Sequence, residues 1–142
     1  MKNEYMNMLM RGVDQVAVGE WLSKNIKGGA TVTTGRIGGI SYAAPNLIFW
    51  DITGLTDREQ AVFLAQGSPG GYEKSPIFRR SPNVIAAVTT PKGYRYPQKL
   101  LQWLKEHYSL VRSFPQGNYG SFEIWVSKSS SDIVIHSDIS SQ

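Results

Sequence analysis

Two carboxylates, Asp51 and Asp57, flank Gly54 in the stretch Trp50-Asp51-Ile52-Thr53-Gly54-Leu55-Thr56-Asp57-Arg58. Placed on one connection, they can reach the same cleft and contact a polar ligand, with Arg36 or Arg58 supplying the opposite charge. Tyr42, Tyr94 and Tyr96 could add hydroxyl or stacking contacts to such a ligand. The same acids have a structural use. Asp57 can stabilise the first turn of a helix, and Asp51 can accept backbone or arginine hydrogen bonds. Asp51 is the sharper problem, because it follows the apolar run Leu47-Ile48-Phe49-Trp50 and an unpaired buried carboxylate is costly. It must either leave the sheet for a cleft or cap a neighbour.

Other chemistries are poorly provided for. The chain has no cysteine, which excludes thiol nucleophiles, thiolate metal sites and disulfides. Its two histidines, His107 and His136, have no partner at metal-ligand spacing, so neither a metal nor a cofactor is expected. No Gly-x-Ser-x-Gly elbow occurs, and no catalytic residue is assigned. His107 reads as a partner for a helix C-terminus. Gly35-Arg36-Ile37-Gly38-Gly39 follows a strand, as in a dinucleotide-binding βαβ unit. A parallel crossover of that kind takes a helix of about ten residues or more, and Pro45 leaves only Gly38 to Ala44. A single short helical turn is therefore expected there, with the glycines serving turns. The net charge of +4 is scattered, with only Arg79 and Arg80 adjacent, which argues against a nucleic-acid groove.

The elements that must hold Asp51 and Asp57 can be read from periodicity and breakers. An amphipathic helix is expected over Val13 to Ile26, ending at Gly28-Gly29, and a strand over Ala30 to Thr34. Leu47 to Ile52 reads as a strand buried on both faces. A helix follows over Asp57 to Gln66, with Thr56 as N-cap and Glu59 closing a capping box. Gly67 to Pro82 reads as loop and as the most mobile region. Asn83 to Val88 is the third buried strand. Pro97 introduces a helix over Gln98 to His107, and two strands, Tyr108 to Phe114 and Ser121 to Ser127, form a hairpin-like pair. The expected fold is α/β, a layered sandwich with a mixed sheet of about five strands flanked by helices. Residues 1–12 form a lead-in containing Met6, Met8, Leu9 and Met10, residues 13–128 the domain, and residues 129–142 a polar tail with room for one edge strand at Asp132 to His136. No run approaches the ~20 apolar residues of a membrane helix and no signal peptide is visible, so the chain as given reads as soluble.

The order of these pieces resembles the soluble C-terminal domain of polytopic GT-C glycosyltransferases, the mannosyl- and arabinosyltransferases that use polyprenyl-phosphate sugars. The residues that carry the likeness are Gln15-Val16-Ala17-Val18-Gly19-Glu20-Trp21-Leu22, Ala30-Thr31-Val32, Gly35 to Tyr42, and Trp50 to Asp57. Ser81-Pro82-Asn83-Val84-Ile85, Tyr108-Ser109-Leu110-Val111 and Ile124-Trp125-Val126 look like its closing strands. The sequence departs from the pattern at Pro82-Asn83, where the family often has Pro-Asp. In that family the catalytic carboxylate sits near the first membrane helices, so the resemblance implies a chain that does not turn over substrate alone. It implies an accessory domain on the extracytoplasmic face of the cell membrane, joined to the membrane portion of a parent protein. Its partner would be a glycan or a polyprenyl-phosphate-linked sugar, with Arg36, Tyr42, Asp51, Asp57 and Arg58 as contacts and no role for nucleic acid. Two other readings stand beside it: a free-standing small-molecule or nucleotide-binding protein using the Gly35 to Gly39 turn and Asp51, and a domain whose apolar start and edge strands dock a partner chain.

Overall fold

Short apolar runs cut by glycine and proline give short elements, and the computed structural model describes them over residues 15–35, 37–54, 56–89, 98–115 and 121–135. In chain order these are α1 (15–25), β1 (Thr31–Thr34), α2 (Ile37–Ala43), β2 (Ile48–Asp51) and α3 (Arg58–Ala65). A 3-10 turn at Tyr72–Lys74, α4 (Pro76–Arg79), β3 (Val84–Thr89), α5 (Gln98–His107), β4 (Tyr108–Pro115), β5 (Ser121–Ser127) and 3-10 turns over Lys128–Ile133 complete them. The strands make one mixed, open sheet in the order β2-β1-β3-β5-β4, an α/β architecture. β1 runs parallel to both β2 and β3, while β5 is antiparallel to β3 and to β4.

Period-two alternation divides the core between the two faces of this sheet. Val32, Val84, Ala86, Phe122, Ile124 and Val126 face the layer of α1 and α2, where Val18, Leu22, Ile26 and Ile40 cover them. Ile85 and Trp125 face the other way, under Ile77 and Phe78 of α4 and Leu100 and Leu104 of α5. Val18 and Leu22 of α1 and Ile26 just after it recur every four positions, the spacing of one helix face. Gly19 lies in that face for a reason of space. A Cβ there would overlap the Ile40 carbonyl oxygen and stand 2.8 Å from the Ala43 Cβ, so only glycine lets α1 lie this close to α2.

Polar ties fix the strand starts. Asn83 Oδ1 accepts from the Thr31 N–H at 2.9 Å and the Thr31 hydroxyl at 3.0 Å, and the Asn83 N–H donates to that hydroxyl oxygen at 2.9 Å. Its amide nitrogen donates to Ser130 Oγ at 3.0 Å, a direction that a carboxylate, which only accepts, would have to reverse. The asparagine in Pro82-Asn83 therefore joins β1, β3 and the C-terminal turns.

Four expectations are corrected. β1 and β2 are adjacent and parallel, so β1-α2-β2 is a βαβ crossover although α2 has only seven residues. The strands explain it: four residues rise about 10 Å, and a seven-residue helix returns about the same distance. β2 is an edge strand with Ile48 50% exposed, not a strand buried on both faces. The segment Gly67 to Pro82 is not a loose loop, because Ser75, Ile77 and Phe78 are buried and α4 forms part of the core. Residues 128–133 coil into 3-10 turns, and Val134 makes an isolated antiparallel bridge to Ile26, so this segment does not extend the sheet.

Candidate functional site

Open sheets with parallel strands bind ligands outside the strand C-termini, at the point where connections diverge. Here that point lies beside β1, whose chain continues to β2 on one side while β3 lies on the other. Asp51 ends β2 at this rim, yet it is 2% exposed. Its Oδ1 accepts from the Thr53 N–H at 2.9 Å and the Thr53 hydroxyl at 2.6 Å, and its Oδ2 from the Thr56 N–H at 3.3 Å. Asp51 is thus the organiser of the turn that leads from β2 to α3. Gly54 sits inside this turn at φ +80°, and a Cβ on it would stand 2.8 Å from the Ala61 backbone, so the turn lies directly against α3.

The helix cap falls one residue later than the sequence suggests. Asp57, not Thr56, is the N-cap of α3, accepting from the Gln60 N–H at 3.0 Å. Glu59 closes no capping box with it. Asp57 and Glu59 instead share Arg80, which pairs with Asp57 and reaches Glu59 at 3.2 Å. The Arg80 guanidinium also lies 5.9 Å from the centre of the Trp50 ring. The hydrogen bond from Arg80 is the main reason that the Asp57 carboxyl is held below its usual range, partly opposed by burial and assisted by the Gln60 N–H. Gln60 itself is fully buried. Its amide nitrogen donates to the Ile52 carbonyl at 3.0 Å and its oxygen accepts from the Ile77 N–H at 3.3 Å, which ties the turn to α4.

The four sequence-derived contacts that are described, Tyr42, Asp51, Asp57 and Arg58, therefore do not converge. Asp51 and Asp57 share one connection, but both are engaged in holding it. Tyr42 is 83% exposed on α2. Arg58 is exposed on α3 across the sheet, where it borders a shallow depression of about 580 Å³ with Val62, Phe63 and Pro76. Arg36, Tyr94, Tyr96 and His136 lie outside the described residues. Among the described residues no group of three or more acidic or histidine side chains could hold a metal, and no helix is long and apolar enough to cross a membrane.

Sequence reasoning missed a second place. At the far end of the sheet, where β3 and β4 begin and β5 ends, a cleft of about 490 Å³ opens between α4, α5 and the turn after β5. Trp103 and His107, one helical turn apart on α5, both line it. Their spacing on one helix face was the available signal. Tyr108 closes its inner end, donating to the Pro82 carbonyl at 2.7 Å, and burial pushes the Tyr108 phenol well above its usual range.

Fold and site together define an α/β domain with an open mixed sheet, whose acidic strand-end motif builds a turn. A family model described as Domain of unknown function (DUF8728) matches residues 5–133, and the chain belongs to that family. Searches of curated proteins and of solved structures gave no match.

Proposed function

We propose that this chain is a non-catalytic, extracytoplasmic domain of a polytopic glycosyltransferase that uses polyprenyl-phosphate sugars, and that it serves the parent enzyme by shaping the side where acceptor or glycan is bound. The observation that carries the non-catalytic part is the state of the two acids. Asp51 is buried with both oxygens hydrogen-bonded, and Asp57 is held by a helix start and by Arg80, so neither is placed to exchange a proton with substrate. Among the residues that carry the likeness to the glycosyltransferase domain, Gly19, Asp51, Gly54 and Asp57 act in packing or in turn geometry. Such a motif marks a shared scaffold, and the chemistry is assigned to the membrane portion.

An antibody to the domain tests this reading. The expected antigen is a membrane-bound protein larger than this chain, cleaved by protease added outside intact cells, while the purified chain shows no transfer from polyprenyl-phosphate sugars. A soluble antigen inside the cell, with the mass of this chain alone, would overturn it.

The parallel β1-α2-β2 crossover favours a second reading, a free-standing nucleotide binder. Against it, both Asp51 oxygens already accept hydrogen bonds within the turn and α2 is too short to offer a developed helix dipole. A rise in melting temperature with nucleotide alone would select this second reading.

A further inference from the structure

We propose that the cleft beside α5 is a carbohydrate-binding site in which a neutral sugar ring stacks on Trp103. The cleft lies at the opposite end of the sheet from Asp51, and its volume of about 490 Å³ falls within the range of about 300–1,000 Å³ typical of small-ligand sites. Its floor is aromatic and held in place. Trp103 packs against Phe78 at 5.2 Å between ring centres, Tyr108 at 5.4 Å and His107 at 5.2 Å. A ring braced on several sides loses little freedom when a ligand stacks on it.

The rim carries both signs of charge. Among the described residues the side chains of Glu73, Lys74 and Arg79 have no hydrogen-bond or ion-pair partner, and the Glu106 carboxylate receives only the Gln102 amide at 3.4 Å. Lys128 is tied back to the Lys105 carbonyl at 2.8 Å. A charged ligand of either sign entering this cleft meets three cations and two carboxylates together, so part of the rim always opposes it. A sugar suits both sets of groups. Each hydroxyl donates and accepts, so it can bridge a guanidinium and a carboxylate, while the C–H face of the ring covers the indole. The mixed rim thus suits a neutral polyhydroxylated ligand. This assignment rests on the cleft alone and stands whether or not the chain belongs to a membrane enzyme.

The test is a set of ¹H–¹⁵N spectra of the 142-residue chain with millimolar maltotriose, cellotriose, mannotriose or chitotriose, with inorganic phosphate and AMP as comparison probes. The expected result is a saturable shift of the Trp103 indole N–H and the backbone signals of Arg79 and His107 with at least one trisaccharide. Trp103→Ala is expected to weaken that response by about tenfold or more, a change of about 1.4 kcal/mol. Because Trp103 also packs against core rings, Arg79→Ala serves as a second variant on an exposed side chain, expected to weaken binding with an otherwise unchanged spectrum. Absence of shifts with all four sugars, shifts confined to other parts of the chain, or a response to phosphate or AMP alone would overturn the proposal. Failure here leaves the membrane location to be decided by the antibody experiment, and a cytosolic antigen would leave the cleft intact.

Discussion

Asp51 and Asp57 show how similar side chains, close in sequence, come to hold one connection by different physics. Asp51 acts as a buried acceptor. Replacing it by alanine removes three hydrogen bonds to a charged group and leaves the Thr53 and Thr56 N–H groups without it, which is expected to cost about 2–4 kcal/mol. Urea unfolding of Asp51→Ala checks this; an unchanged midpoint together with lost ligand binding would show that Asp51 belongs to a site after all. Asp57 combines a cap with an ion pair, and the two can be separated. Asparagine caps a helix about as well as aspartate, so Asp57→Asn should lose only the Arg80 pair, about 0.5–1 kcal/mol, whereas Asp57→Ala should lose about 1–2 kcal/mol. The sign of the pH dependence follows from the lowered pKa. The unfolded chain takes up the proton first as pH falls, so the contribution of the pair is complete above the ordinary carboxylate range near about 4, declines below it, and is gone once pH has fallen through the lowered value of the folded state. Thermal melts of wild type and Asp57→Asn should therefore converge as the pH drops below about 4, and a difference that stays constant into acid would show that Arg80 does not act through charge.

Glycine decides the geometry of one connection and of one helix contact. At Gly54 alanine faces both a φ of +80° and an overlap with the Ala61 backbone, so Gly54→Ala is expected to destabilise by more than the ~1 kcal/mol of an unfavourable φ alone, about 2–4 kcal/mol. At Gly19 the backbone itself is helical and only the contact with α2 is lost. Gly19→Ala should thus push α1 away from α2 and lower the urea midpoint although alanine is the better helix former; a raised midpoint would mean that the two helices have room to separate. These glycines bear on what could be read beforehand. The limits of α5 and the existence of all five strands were legible, because Leu100 and Leu104 repeat at helical spacing and the strands are short apolar or β-rich runs bounded by turn residues. The crossover at α2 was misread because strand length, which sets how long a return helix must be, is not visible in the helix residues themselves. α4 was misread because Ser75-Pro76 resembles a loop, while its burial depends on Gln60 reaching across to the Ile77 N–H, a contact over 17 residues. For the site, Asp51 was legible as a residue needing an explanation, and the explanation was local. The Trp103 cleft depends on elements far apart in sequence, which local patterns do not bring together.

The whole molecule is one sheet with a separate core on each side, and this arrangement determines how damage spreads. Leu22 lies at full burial under the α1 and α2 layer, and Leu104 is 1% exposed under α5, with the sheet between them. Each leucine-to-alanine change should cost about 2–5 kcal/mol through lost transfer energy and a cavity that the surroundings only partly close. Because the two cavities open on opposite faces, no side chain can relax into both. Among the described residues the two cores share the strand backbones, held by the β1-β3 and β3-β5 pairing and by the Asn83 ties to Thr31. The costs of Leu22→Ala and Leu104→Ala should then add in the double variant to within about 0.5 kcal/mol. Urea titrations of the two single variants and the double one, followed by tryptophan fluorescence and by far-ultraviolet circular dichroism, check this. Coincident curves from both probes with additive costs are the expected outcome, since a sheet that both layers need for burial cannot persist after either layer is lost. Two separated transitions, or a double variant far more stable than the sum, would show that each face forms an independent folding unit.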